Sequence, residues 1–431
     1  MNLTAIERIS TKVDQEVLIC GWLYNKRSSG VIQFLLIRDG TGIIQGVVVK
    51  GEVSEEVFAK AEELTQESSL KVRGIVHEER RAPGGYEIAV SDIEIVHLAE
   101  RYPITPKEHG VGFLMDHRHL WIRSFKQVPI LRIRHEVMKA IRDFFDLQGF
   151  ISSEAPILTP TSVEGTTTLF EIDYFDDKAY LSQSGQLYLE ALAMALGKVY
   201  WIGPAFRAEK SKTRKHLTEF WMAEAEMAFC DHDENIKIQE ELIKFIIQRV
   251  LENRSQELEK LKRDKKPLEK VADKPFVRIT YDKALRLLKD WGHQIKWGED
   301  FGAPEEEALG NHFGLPVFIE LLPAIMKPFY MEPSPQDDKL VLAADLLAPE
   351  GYGELIGGSQ RIADIKLLKR RLKEQGLPQE PYAWYIDLRK YGSVPHAGFG
   401  LGIERTIAWI CGVPHIRECI PFPRQIHRLS P

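Results

Sequence analysis

Gly398-Phe399-Gly400-Leu401-Gly402-Ile403-Glu404-Arg405 is the stretch whose reading decides the fold. Glycines alternate with apolar side chains, which is the two-residue period of a strand. Glycine weakens a strand, so three together mark close approach by a ligand or another backbone. Thr406-Ile407-Ala408-Trp409-Ile410-Cys411 follows and is apolar enough for a buried helix, ended by Gly412 and Pro414. The unit is a strand, then a helix, with Arg405 at the junction. Its spacing is not the Gly-x-Gly-x-x-Gly of dinucleotide folds. Taken alone, it fits a tightly packed glycine-rich strand equally well.

Two further stretches bear on it. Phe206-Arg207-Ala208-Glu209 precedes a charged loop, then His216 and Phe220. Upstream, Ile133, Val137, Ile141 and Phe144 recur at helical spacing from Ile130 to Phe145. Gly149 closes that helix, and Phe150 to Pro156 reads as a strand ending at proline. In this order the three stretches resemble the three motifs of class II aminoacyl-tRNA synthetases. The resemblance covers nearly the whole chain and in detail looks most like the asparaginyl members. It implies an α+β protein, an N-terminal OB-fold followed by an antiparallel-sheet catalytic domain with surrounding helices. It also implies ATP as substrate, Mg²⁺, a tRNA partner, and a homodimer formed through the first motif with Pro156 near the boundary.

Composition agrees with a globular protein. A length of 431 residues predicts two or three domains. Apolar content of 44% and charged content of 28% are ordinary. A net charge of −6 excludes a wholly basic nucleic-acid binder, so an RNA partner needs a local basic surface. Cys20, Cys230, Cys411 and Cys419 lack zinc-ligand spacing and read as reduced thiols. No segment approaches the ~18 apolar residues of a membrane span. The expected location is the cytoplasm, with no membrane part.

Residues 1 to 100 read as five short strands and one helix. The strands are Val17–Tyr24, Ile32–Arg38, Ile43–Val49, Leu70–Val76 and Tyr86–Val90, and the helix runs from about Glu55 to Leu64. That pattern predicts an OB-fold barrel. Lys26, Arg27, Phe34 and Gln45 form a candidate face for an unpaired base, the ring stacking and the amide reading an edge. The pattern alone also allows Phe34 in the core and Lys26-Arg27 in a solvated turn. The resemblance places Arg27, Phe34 and Gln45 on anticodon-binding positions. Residues 101–128, with Pro103 and Pro106, read as a linker or hinge, and 129–431 as the catalytic domain. His117 and His119 lack a third ligand and are not read as a metal site.

The catalytic candidates come from the resemblance. Glu164 belongs to a loop that closes over the amino acid, and Ser184 and Gln186 match the pair that positions its ammonium. Converging acceptors suit a group with three donors. Arg207 falls on the arginine that grips the α-phosphate and the substrate carboxylate, where a rigid guanidinium fork suits the oxygens. Glu209 falls on the acceptor of the adenine amino group, His216 on a γ-phosphate contact, and Phe220 on the ring stacked against adenine. Leu217 and Gly402 complete the ATP set with Arg405, expected at the γ-phosphate. The loop from Lys210 to Lys215 is expected to meet tRNA or ATP phosphates. Asp345 and Glu354, flanking a loop with Pro349 and Gly351, are the expected Mg²⁺ ligands, carboxylates being hard oxygen donors. Arg207, Glu354 and Arg405 form the catalytic set.

Arg361 falls on the arginine that binds the substrate side chain. Aspartate enzymes place a lysine three residues after the glutamine, where this chain has Leu189. Their pocket aspartate corresponds to Glu224. A pocket holding Arg361 and Glu224 is near neutral and fits an amide. Bound aspartate would leave Glu224 facing a carboxylate, at a cost of about 3–5 kcal/mol. At about 1.4 kcal/mol per tenfold, that is roughly 10²–10³ in favour of asparagine. The alternatives are an aspartyl enzyme, including one that charges both tRNAs, a synthetase-derived enzyme making free asparagine, and a non-catalytic RNA-binding protein on this scaffold.

Overall fold

The computed structural model describes residues 3–163, 168–210 and 213–431. The chain divides into two units, Met1–Leu114 and Met115–Pro431. In the first, five strands close into a barrel in the order β1-β2-β3-β5-β4. They are β1 (Glu16–Ser28), β2 (Ile32–Arg38), β3 (Ile43–Val49), β4 (Ser69–Glu78) and β5 (Tyr86–His97). Alternation does the sorting: Ile19, Leu23, Leu35, Ile37, Val48, Val72 and Val76 all point inward and are fully buried. Helix α1 (Glu55–Glu63) starts at Ser54, whose Oγ accepts from the Val57 amide at 3.3 Å, and adds Val57, Phe58 and Ala61 to the barrel core. This is the expected OB-fold, with β1 and β5 longer than the pattern predicts.

Helix α2 (Val111–Asp116) spans the boundary, and α3 (Arg118–Trp121) and α4 (Gln127–Leu147) follow. The second unit is built on an eight-stranded sheet, among the described residues. Its strands are β6 (Ile151–Ser152), β10 (Lys198–Phe206), β11 (Glu219–Ala228), β12 (Val277–Thr280), β13 (Val317–Pro323), β14 (Leu340–Ala348), β15 (Gly353–Arg361) and β16 (His396–Gly402). Their order is β12-β13-β14-β15-β16-β11-β10-β6. The five inner pairings are antiparallel, whereas both edge pairings are parallel. A small sheet of β7 (Leu158–Thr159), β8 (Glu171–Tyr174) and β9 (Asp177–Leu181) stands beside it. The strand expected to run to Pro156 is only two residues long. Its last tie is Ser153 N–H to the Tyr200 carbonyl at 2.8 Å, and Pro156 has no N–H to extend a ladder.

The helices are α5 (Gln186–Leu196), α6 (His232–Asn253), α7 (Ser255–Lys260), α8 (Lys266–Asp273), α9 (Tyr281–Asp290), α10 (Ala303–Phe313), α11 (Ile365–Glu374), α12 (Ala383–Lys390) and α13 (Ile403–Cys411). The apolar stripe of α4 packs with α6 and α13 beneath the sheet, against Ala223, Ala225, Met227, Ala397, Phe399 and Leu401. Phe399 and Leu401 therefore face this core, and the three glycines between and beside them face the other way. On that upper face, α9 to α12 bury Val317, Ile319, Val341 and Ala343 toward the β12 edge and leave the middle of the sheet for a site.

Candidate active site

Strand pairing sets out the floor of the site. Glu226 lies opposite Gly398, Glu224 opposite Gly400, and Met222 opposite Gly402. On the other flank, Gly400 faces Gly357, Gly398 faces Ser359, and His396 faces Arg361. Facing residues share one side of a sheet, so acids and an arginine border a strip with no side chains. The strip is needed. A Cβ on Gly398 would lie 2.2 Å from the Glu226 carboxyl carbon, and one on Gly400 would lie 2.8 Å from Met222 Cε. The close approach inferred from the alternating glycines is therefore made, at Gly398 and Gly400, by the neighbouring strand's side chains and, at Gly398, also by the Ala225 carbonyl oxygen at 2.4 Å.

An open cavity of about 630 Å³ lies at the Gly402 end. Arg207, Glu209, His216, Leu217, Phe220, Glu354, Gly402 and Arg405 all line it. They come from the end of β10, the loop after it, β11, the start of β15 and the β16–α13 junction. Arg207 and Glu209 sit just past the end of β10, where the chain is free to curl over the sheet. The Arg207 guanidinium lies over the Phe220 ring, 5.3 Å from its centre, within cation–π range. Arg405 donates to the Glu354 carbonyl at 2.9 Å and stands 3.9 Å from its carboxylate. His216 Nε2 lies 3.6 Å from Glu209. Burial and then the Arg405 charge push the His216 ring below the ordinary histidine value, with Glu209 opposing. Its ring is therefore neutral at pH 7. Lys215 reaches Glu306 at 3.3 Å.

The polar side chains continue along the strip. Ser184 Oγ and the Gly185 amide donate to Glu224 at 2.9 and 2.8 Å, so this carboxylate is held by the turn before α5. Arg361 is paired with Glu226, through Nη2 at 2.5 Å and Nε at 3.3 Å, and donates to Ser359 Oγ at 2.7 Å. The acid paired with Arg361 is thus the second carboxylate of Glu224-Ala225-Glu226, two residues along the same strand face from Glu224. Arg361 and Glu226 are both almost fully buried. Burial pushes the Glu226 carboxyl up to about 7 against the pull of Arg361, with Glu190 adding to the rise. Gln186 opens α5 and donates to Glu190 at 3.1 Å. Leu189 is buried in a small cluster with Ala193, Val199 and Trp201. Glu164 and Lys212 lie outside the described residues.

Asp345 is placed differently from expectation. It lies within β14, opposite Gly357, and pairs with Lys327 at 2.7 Å. Burial alone would lower Lys327, but Asp345 and Glu354 hold it above the ordinary lysine value, so it is an ammonium. A Cβ at Gly357 would lie 3.1 Å from Glu354 Oε1 and 3.6 Å from Asp345 Oδ1, so the two carboxylates share one cradle. Only Glu354 turns into the cavity without a lysine on it. Among the described residues no three His, Cys, Asp or Glu side chains form a metal-binding group. Mg²⁺ takes one or two carboxylates and fills its shell with phosphate oxygens and water. Glu354 is the residue that fits such an ion.

On the barrel, Arg27 faces Phe34 across β1 and β2, and its guanidinium covers the ring at 5.0 Å. Phe34 lies opposite Val47, and Gln45 is two residues along β3 on the same outer face, donating to Glu87 at 2.9 Å. Phe34 is half-buried on that face, outside the core.

Pattern reading passed over Glu226, Glu190, Lys327 and Glu306. Glu226 was detectable as the partner of Glu224 at a spacing of two, and Glu190 as the residue one helical turn after Gln186. Lys327 and Glu306 carry no local signal, because each reaches the site from a distant segment.

Residues 111–426 match the family described as tRNA synthetases class II (D, K and N), and residues 17–96 match the OB-fold nucleic acid binding domain. The chain belongs to the class II tRNA synthetases. It is 60% identical over 431 residues to the asparagine--tRNA ligase of Pelotomaculum thermopropionicum, covering 100% of both chains. It is 58% identical over 434 residues to that of Thermus thermophilus, covering 99% of each. The crystal structure of asparaginyl-tRNA synthetase from Pyrococcus horikoshii complexed with asparaginyl-adenylate superposes with a TM-score of 0.96 at 44% identity, over 100% of both chains. Within its class, the chain falls among the asparagine--tRNA ligases. No described helix is long and apolar enough to cross a membrane.

Proposed function

We propose that this protein attaches L-asparagine to tRNA(Asn) in two steps at the β16 strip. The asparagine carboxylate attacks the α-phosphorus of ATP, giving asparaginyl-adenylate and pyrophosphate. The terminal ribose hydroxyl of the tRNA then attacks the activated carbonyl and AMP leaves. The observation that carries this reading is the meeting of eight candidate nucleotide-binding residues in one cavity, with a buried Arg361–Glu226 pair further along the same floor. Arg361, held by Glu226, donates to the amide oxygen of the substrate, and Glu224 accepts from its nitrogen. Arg207 stabilises charge at the α-phosphorus, Arg405 meets the outer phosphates, and Phe220 stacks on adenine with Glu209 at its amino group. Catalysis comes from positioning and preorganised charge, without a side-chain nucleophile.

Mg²⁺ held by Glu354 would neutralise the phosphate oxygens and favour departure of pyrophosphate. Arg27, Phe34 and Gln45, on a barrel of about residues 1–100, take the anticodon. Exposed Ile157 and Leu158 beside Pro156, with exposed Ile151 on the edge strand, support a homodimer through this region. The enzyme works in the cytoplasm.

ATP–pyrophosphate exchange with each amino acid, followed by charging of purified tRNA, tests the reading. Asparagine-dependent exchange and charging of tRNA(Asn) are expected. Faster exchange with aspartate would make it an aspartyl enzyme, and free asparagine formed without tRNA charging would make it an amide synthetase.

A further inference from the structure

Beyond the Arg361–Glu226 pair lies a second set of ionisable side chains, fully buried and not touching the cavity. Its centre is Glu190, four residues after Gln186 on α5. Glu190 Oε1 accepts from Gln186 Nε2 at 3.1 Å and from the Tyr385 hydroxyl at 2.8 Å. Its Oε2 accepts from Arg389 Nη2 at 2.6 Å and lies 3.0 Å from His396 Nε2. Arg389 comes from α12 and also donates to the Ile362 carbonyl at 2.8 Å, while His396 Nδ1 faces the Val394 carbonyl at 2.8 Å. His396 is the residue opposite Arg361 in the sheet. Buried ions are costly to keep unless paired, and an apolar residue at position 190 would fill a helix core position without them.

Two consequences follow from where Glu190 stands. A carboxylate only accepts, so the Gln186 amide must turn its NH₂ toward Glu190 and its carbonyl oxygen away. That leaves an acceptor fixed for a substrate ammonium. The second consequence is charge. Arg361 and Arg389 bring two positive charges, and Glu226 and Glu190 bring two negative ones, while Glu224 is held separately by Ser184 and Gly185. Each ion pair is neutral in itself, so Glu190 cancels the positive charge that Arg389 would otherwise add beside Arg361.

We propose that Glu190 is a positioning and specificity residue. Through Gln186 it fixes the acceptor for the substrate ammonium, and as counter-charge to Arg389 it keeps the side-chain pocket neutral, so that an amide is preferred to a carboxylate. This rests on the reading of the site as an asparagine-activating one.

The test is pyrophosphate exchange by the full-length enzyme with asparagine and with aspartate. Glu190→Gln removes the charge, and the ratio of kcat/KM for asparagine over aspartate should fall at least tenfold, with KM for ATP within twofold of the parent. Glu190→Asp keeps the charge but loses reach to Gln186. Its KM for asparagine should rise at least fivefold while the ratio stays unchanged. An unchanged ratio in Glu190→Gln, with both amino acids losing kcat alike and Tm falling, would make Glu190 a structural strut and overturn the proposal. Should Glu190→Gln not fold, Glu190→Asp still decides: a KM for asparagine within twofold of the parent overturns it. If the parent shows no asparagine-dependent exchange, the functional reading itself has failed.

Discussion

The Glu226 carboxyl group occupies the space above Gly398 that a side chain would otherwise take, 2.2 Å from where a Cβ would stand. The same Cβ would also lie 2.4 Å from the Ala225 carbonyl oxygen, so the glycine makes room for the carboxylate and for the neighbouring backbone. Gly398→Ala should push Glu226 off Arg361, and breaking a buried pair costs on the order of 3–5 kcal/mol. Asparagine-dependent pyrophosphate exchange should fall roughly 10²-fold or more, while ATP affinity, governed by residues nearer Gly402, changes little. Exchange kinetics at saturating ATP and direct nucleotide titration separate the two. A variant with an unaltered KM for asparagine would show that the amide is recognised elsewhere.

Glu226 must be ionised to pair with Arg361 and so hold it toward the amide oxygen. Its carboxyl is raised to about 7 by burial. It gains a proton as pH falls through that value, and asparagine binding weakens in the same direction. KM for asparagine should therefore rise about tenfold from pH 8 to pH 6, the change in ionised fraction for such a group. Glu226→Gln should flatten the profile. A KM that is flat over this range in the parent would contradict the assignment.

Arg207 stands at the mouth of the cavity, its guanidinium over Phe220. It packs little core, so Arg207→Ala should leave Tm nearly unchanged and lower adenylate formation on the order of 10²–10³-fold, the usual loss for one preorganised donor. Arg207→Lys should recover little, because an ammonium lacks the planar fork. Stopped-flow or exchange measurements with circular dichroism on the same samples check both halves.

Much of this site is legible in the sequence, because its parts are local. β2 and β3 match their expected bounds since alternation along one strand needs no knowledge of its partners. Arg207, His216 and Phe220 lie in one stretch, and Arg405 follows its glycines directly. What escaped was non-local. The Lys327–Asp345 pair joins a loop to a mid-strand position, and Arg389 enters from α12. The choice between Glu224 and Glu226 as partner of Arg361 depends on strand register, which fixes Glu226 beside Gly398 and Ser359. The two-residue β6 was overestimated because apolar spacing cannot say where a neighbouring strand stops pairing.

Phe34 and Arg27 make a second, separable test. The ring sits on the outer face of the barrel under a guanidinium. If it stacks an anticodon base, Phe34→Ala should cost about 1–3 kcal/mol, or roughly 5–150-fold in KM for tRNA. Pyrophosphate exchange without tRNA should be untouched. Comparison of charging and exchange kinetics reads the difference, and an unchanged KM for tRNA would remove Phe34 from the interface.

Asp345 and Glu354 share a cradle over Gly357 but hold different positions in the charge balance, and the two substitutions should part company. Asp345→Ala strips Lys327 of its close partner in a largely buried setting, a loss on the order of 3 kcal/mol that should appear as a lower Tm. Glu354→Gln changes a more exposed carboxylate that faces Arg405, so the fold should hold. The Mg²⁺ concentration giving half-maximal exchange should rise at least about tenfold. Glu354 has Arg405 beside it at 3.9 Å rather than in close contact, so its carboxylate can take a cation arriving with ATP. Asp345 already has its cation in Lys327, and a second positive ion on that side would meet a fixed ammonium. Thermal unfolding and a Mg²⁺ titration of both variants measure the split. If Asp345→Ala kept its Tm and raised the Mg²⁺ requirement as much as Glu354→Gln, Asp345 would be a metal ligand and Lys327 only its resting partner.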